Sequence, residues 1–463
     1  MERGGGWGTN AACARSMAWF NAGANWGPGA SKLSVGDTVH LVGTITNAVI
    51  PQLSGTSGSP ITLLFEPKAR IAMPAIPASG GIKCTGRSYL TIDGGVDGLI
   101  ESTDNGTGRG HQVNSIGVNW EGSQIPMREI IIQKLTIRNL YVREANSNDT
   151  NYGGKGIYVT GSLSNLSIRC CTISQCNRAI LIGYSSGASY GLRCYSNEVS
   201  HCNWGVGVGD CQHTAMLHNL SIRRNRINLF DDWEDPGNRF HHDGIFAYVS
   251  SAGSYITDIT ICDNVIGPYF GKNITAAIYI SSARPDGIRH TVIYNNVLFT
   301  STNKAPSCGF IGARNLNGAC VSNNTMDANG HGGIGVLLNH GANISIVNNI
   351  IAGVANPVCE ETSRCITKCD YNNYHYSIIQ LHFSTAGQRR SYSNWRRAGF
   401  DEHSVIGDPG YAGSAAFNFR LNSGSVAIDA GNDQSAWFTT DISGANRPQG
   451  RAWDIGAYEY SHR

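Results

Sequence analysis

The chain of 463 residues is short of charge: Asp, Glu, Lys and Arg together make up 15%, with a net charge of +2. That balance excludes the charged tracts of disordered tails and gives no sign of the basic patch that a nucleic-acid partner requires. Long apolar runs are missing too. No stretch approaches the ~20 residues of a membrane-spanning helix, and Met1, Glu2 and Arg3 followed by three glycines are not a secretory leader. The start therefore fits either a chain that follows a removed signal or a cytosolic one. Fourteen cysteines are too sparse for a disulfide scaffold and read as small apolar packing residues. Cys359, Cys365 and Cys369 form a C-x5-C-x3-C cluster that hints at zinc but lacks an obvious fourth ligand. Strongly helical stretches are scarce, and no motif calls for an organic cofactor. What is plentiful is glycine, 57 residues, with Ser and Asn beside it, the profile of a turn-rich β protein.

Taken in order, residues 10–22 (NAACARSMAWFNA) have helical character and read as a cap over the first open strand edge, which would otherwise invite aggregation. The runs VGDTVHLVGTI (35–45) and IPQLSGTSGSPITLLFE (50–66) are short, β-branched and split by turn residues, as successive strands should be. From about residue 83 a repeat emerges. One motif recurs as KGIYV (155–159), RAILI (178–182), WGVGV (204–208), DGIFA (243–247), AAIYI (276–280), CGFIG (308–312) and GGIGV (332–336). A second segment lies between them and carries Asn197, Asn225, Asn264, Asn296, Asn324 and Asn349 at one place, with Cys171 in that place one coil earlier. Stacked coils explain both patterns, the Asn column occupying a tight turn of left-handed geometry. The period of two excludes helical solenoids, and regular hairpin signals of a propeller are absent.

These motifs resemble the right-handed parallel β-helix of pectate-lyase-like proteins. The resemblance covers roughly residues 30–375 and implies an all-β fold with three short strands per coil and an Asn ladder. After Ser377 the repeat ends. The tail, closing in TTDISGANRPQGRAWDIGAYEY (439–460), resembles the terminal segment of bacterial secreted β-helix proteins, which implies a secreted, periplasmic or cell-surface location. Its Asp429, Asp441 and Asp454 read as turn-forming and strand-end residues. The expected layout is an N-terminal cap over 1–34, a parallel β-helix over 35–377 and a capping and returning segment over 378–463.

Matching positions of stacked strands lie ~4.8 Å apart, so the position before the Gly or Ala of the motif is a physical column: Lys155, Arg178, Trp204, Asp243, Ala276, Cys308, Gly332. Unlike an aliphatic ladder it changes character, collecting two cations, an aromatic and an acid. The column before it holds Gly154, Asn177, Asn203, His242, Thr275, Ser307 and His331. One further back, Cys176 and Cys202 fall in adjacent coils within disulfide range, as a bonded pair or an unbonded stack. The densest cluster of reactive groups is DDWEDPGNRFHHDGIF. Asp231, Asp232, Glu234 and Asp235 repel one another unless paired or metal-bound, and oxygen ligands of this kind suit calcium, although no EF-hand spacing is present. Trp204 and Trp233 are candidate sugar platforms. Lys272 and Lys304, in the connecting loops of later coils, would extend a cationic groove.

Polygalacturonases on this fold carry NTDG and GHG motifs. Asp243 sits in a similar DG-I context and His331 in NGHGGIG (329–335), but the acidic pair precedes Asp243 instead of following one coil later, and an RIK-type motif is missing. Three functions follow from these residues. A polysaccharide lyase would cleave a uronic-acid glycan by β-elimination: Lys155, Arg178 or a calcium ion neutralises the substrate carboxylate, and His241, His242 or Lys155 removes the α-proton. A glycoside hydrolase would pair Asp243 with Asp231 or Asp232. A non-catalytic β-helix would bind glycans as an adhesin does. The lyase uses the cations, acids and histidines together and ranks first. The expected partner is a polysaccharide or oligosaccharide substrate, with no nucleic acid and no membrane span, and the protein itself is expected to be a monomer or a side-by-side homo-oligomer.

Overall fold

The computed structural model describes residues 14–104, 114–122, 126–140, 154–185, 187–210, 214–228, 242–270, 274–301, 305–362, 364–376 and 381–461. Strand makes up 53% and helix 4%, and the architecture is the right-handed parallel β-helix. It divides into two compact units, one with the described residues through His218 and one with those from Asn219 onward.

In unit 1 the short helix Met17–Asn21 is capped by Ser16 and buries Phe20. Asn21 ties it to the first coils, donating to the Ala48 carbonyl at 2.8 Å and accepting from the Ile50 amide at 2.9 Å. Three parallel ladders follow. One stacks Thr38–Leu41, Ile61–Phe65, Leu90–Asp93, Met127–Gln133, Leu163–Arg169 and Gly187–Tyr195. A second runs from Thr44–Ile45 through Arg70–Met73 and Leu99–Ser102 to Thr136–Arg138. The third joins Ile82–Lys83, Ile116–Glu121 and Lys155–Gly161. The 13-residue strands Thr172–Tyr184 and Glu198–Asp210 turn a corner without a loop, so that their two ends serve two ladders. The interior is filled by like residues in register, such as Ile157, Ile180 and Val206, or Val159, Ile182 and Val208, all at 0% exposure. Each such side chain contributes ~1.5–3 kcal/mol by leaving water.

Unit 2 repeats the plan. Its inward columns run Ile245–Ile278–Ile311–Val336–Val358 and Ala247–Ile280–Ala313–Leu338–Glu360. The second ends on a carboxylate because the apolar stack ends there: buried Glu360 accepts the Cys365, Ile366 and Ala386 amides. Parallel pairing continues beyond residue 377, to Val405–Ile406 stacked on Asn373–His375. Register corrects the motif alignment at three places, the first at His242, which pairs with Ile274 and not with Thr275. Ile278 pairs with Ile311 and Ile311 with Val336, so CGFIG slips by one residue and GGIGV by one more, and neither Cys308 nor Gly332 lies in the column of Asp243 and Ala276.

The Asn ladder is present and longer than its sequence signal. Each ladder Oδ1 accepts the backbone amide and Nδ2 of the Asn one coil before it, through Asn225, Asn264, Asn296, Asn324, Asn349 and Asn372. In unit 1 Asn197 accepts the Cys171 amide at 3.0 Å, Cys171 holding the ladder place as expected. The expected left-handed geometry belongs to the residue before, however: Cys170, Ser196, Arg224, Asp263, Asn295, Asn323, Asn348 and Tyr371 all have φ between 51° and 59°. The ladder Asn closes that turn from the next position, Asn296, Asn324 and Asn349 each donating to the carbonyl two residues back as well as to the neighbouring coil.

That preceding column docks the tail. Asn295, Asn323 and Asn348 donate to the carbonyls of Thr440, Asp454 and Asn432. The tail also covers Val297, Phe299, Ile350 and Ala352 with Phe419, Leu421, Ala427, Ile455 and Ala457. Within it, Arg447 and Glu459 pair at 2.5 Å with neither side chain exposed. Asp429, Asp441 and Asp454 accept backbone amides within the tail, Asp441 holding Ser443 and Ala445 at 2.8 Å, the turn-forming role read from the sequence.

Candidate functional site

In unit 1 the expected column exists. Lys155 pairs in register with Arg178, and Arg178 with Trp204. Local chain geometry makes this possible: at Gly156 a Cβ would stand 2.6 Å from the Ala179 carbonyl, so the neighbouring coil packs directly on the backbone. The column behind it is built from Asn177 and Asn203, buried and joined by a 3.1 Å hydrogen bond from Asn203 Nδ2.

Two half-buried cations thus sit one strand spacing apart. Burial, then the charge of Arg178, lowers the pKa of Lys155 below that of an ordinary lysine. Its Nζ lies 5.0 Å from the Tyr158 ring centre. Arg178 is held by Trp204, its Cζ 4.5 Å from the indole centre. Trp204 is 8% exposed, so its face serves the guanidinium rather than a sugar, and the expected platform becomes a support. Chemically the pair offers an amine whose charged form is disfavoured, and hence a readier base than an ordinary lysine, beside a fixed guanidinium for a planar anion.

Unit 2 holds Asp243 and His242, with a register irregularity between them where the strand meets Ile274–Ser282. Asp243 is 0% exposed, His242 2%. Burial raises the Asp243 carboxyl well above the carboxylate range, opposed by a backbone hydrogen bond at Ala276, and its charge reaches Tyr279 and Cys308. The expectation of an open acid or base at the lip of a groove gives way to a buried carboxyl whose charged form burial disfavours. Beside it stand aromatic residues that the sequence reading missed: Phe246 packs on Tyr248 and on Tyr279, ring centres 4.8 and 5.5 Å apart. The signal was the outward parity of these positions in DGIFAY and AAIYI.

His331 lies exposed in a turn, its amide bonded to the Ala328 carbonyl, apart from the buried motif positions. Cys176 and Cys202 are in register, buried and unbonded, each thiol donating to a carbonyl two residues back. Cys359, Cys365 and Cys369 hold no common centre: the Cys369 thiol reaches Asp401, itself bonded by Tyr374, Trp395 and Ser404. Among the described residues no group of three or more His, Cys, Asp or Glu could hold a metal ion. The candidate residues Asp231, Asp232, Trp233, Glu234, Asp235, His241, Lys272 and Lys304 lie outside the described residues.

No protein-family model and no curated protein matches the chain. Among solved structures it is similar to a lacto-N-biosidase of glycoside hydrolase family 136 from Eubacterium ramulus, at 14% identity and TM-score 0.46, covering 85% of this chain and 66% of that one. It is similar also to a surface adhesin of Streptococcus pneumoniae (13%, TM-score 0.39, 78% and 86%) and to an exopolygalacturonase of Thermotoga maritima (12%, TM-score 0.32, 76% and 84%). The chain spans just under two thirds of the biosidase. These likenesses accompany the architecture read from the strand pairing and carry nothing about activity.

Proposed function

We propose that the protein acts on an acidic polysaccharide outside the cell and cleaves it as a lyase, by β-elimination. The observation that supports this is the Lys155–Arg178 pair. Set side by side and half-buried, the two groups disfavour each other's charge; an arginine keeps its own, and a substrate carboxylate against Arg178 offsets that cost. In this reading Arg178, steadied by Trp204, takes the uronate carboxylate and so acidifies the α-proton. Lys155, readily deprotonated because burial and Arg178 disfavour its charge, removes that proton. Electrons move toward the carboxylate and then expel the glycosidic oxygen, which leaves as a hydroxyl with a proton from solvent or from the protonated Lys155, so that an unsaturated uronate remains. A hydrolase based on Asp243 has less support, since a carboxyl with no exposed surface cannot meet a polymer.

The test is incubation with uronate and neutral polysaccharides, following the ultraviolet absorbance of unsaturated uronates beside reducing ends. Both should appear with a uronate polymer. Lys155→Ala should lower kcat by ~10²–10⁴, and reducing ends without new absorbance would sink the elimination.

A further inference from the structure

Unit 2 carries a second cationic feature, on the face where the tail lies. A cleft of about 280 Å³ is lined by Arg224, Arg226 and Arg420, with Tyr458, Val265 and Ile442 among its walls. We infer that this cleft binds a carboxylate-bearing sugar unit of an acidic glycan, through Arg226 and Arg420. The ligand class rests on the reading above; the site does not.

Strand alternation aims the arginines. Ile227 is buried, which turns Arg226 outward, and Phe419 and Leu421 are buried on either side of exposed Arg420. Arg420 stacks on Tyr458, Cζ 4.8 Å from the ring centre. A guanidinium stacked on its face keeps its N–H groups free in the plane, the arrangement that receives a carboxylate with two bonds. Among the described residues neither Arg226 nor Arg420 has a carboxylate within ion-pair distance, and Arg224 reaches Asp263 only at 3.9 Å. The other acid near Tyr458, Asp441, is buried and committed to the amides of Ser443, Ala445 and Glu459 and to the Ser443 hydroxyl. Among the described walls three arginines thus face one carboxylate, Asp263, an excess of positive charge in a nearly neutral chain, and the apolar walls suit the faces of a sugar ring. An external anion balances that excess.

Calorimetric titration of the full chain with uronate oligosaccharides tests this, beside neutral and sulfated oligosaccharides and a short DNA duplex. Uronates should bind with an affinity that falls as salt rises. Arg226→Ala with Arg420→Ala should weaken binding at this site at least tenfold at an unchanged melting temperature, and lysine at both positions should restore part of it. In a Lys155→Ala, Arg178→Ala variant the site should keep its affinity, which separates it from the proposed lyase site. Equal binding by the arginine-to-alanine variant, or equal binding of neutral sugars, overturns the inference. Tighter binding of sulfated glycan or of DNA overturns the carboxylate assignment.

Discussion

At the residue scale, charge is governed by what neighbours allow. Lys155 is pushed down by burial first and Arg178 second. If it is the base, activity requires the neutral amine and should rise with pH, the limb lying below the ordinary lysine range. Arg178→Gln should move that limb upward, because one of the two causes is gone; a pH profile of kcat/KM reads it. Asp243 has the opposite sign. Its folded pKa is raised well above 3.8 by burial, so the folded state holds the proton more tightly, and the stability this contributes is full below 3.8 and is lost as pH rises. Asp243→Asn should therefore lose less stability than the natural chain between pH 5 and pH 8, measured by urea midpoints. The same variant with reduced elimination activity would return Asp243 to the chemistry.

At the element scale, the ladder shows how a turn is made rigid without a disulfide. Asn324 donates to the carbonyls of Ile293 and Ser322 and to Asn349, and accepts twice from Asn296. Asn324→Ala would leave those partners buried and unpaired, at a cost of about 2 kcal/mol. A fall in melting temperature, with exchange protection lost first in the adjacent coils, is the expected outcome. The inward aliphatic columns were legible because stacking demands one residue type at each place. The slips at Cys308 and Gly332 were not, because one inserted residue changes the local path of a turn without changing which residues look apolar.

For the whole chain, the tail returning along unit 2 is braced from within by a buried ion pair and held to the coils by apolar contact. Arg447 and Glu459 are both fully buried, and Arg447 also bonds Asn295 and the carbonyls of Asp454 and Gly456. Removing one partner strands the other, so Arg447→Met should destabilise by ~3–5 kcal/mol. Limited proteolysis should then cut within 427–460 before the coils. No helix among the described residues is long and apolar enough to cross a membrane.

The repeat, the Asn column and the neighbourhood of Lys155 and Arg178 were determined by the sequence alone, because parallel stacking turns spacing along the chain into contact. Burial and orientation were not. Only the tertiary structure decided that Trp204 supports Arg178, that Asp243 is enclosed, and that Arg420 meets Arg226 across almost two hundred residues of chain. The reason is physical: a period tells which residues share a ladder, while exposure and the meeting of distant segments depend on how every neighbouring side chain fills space around them.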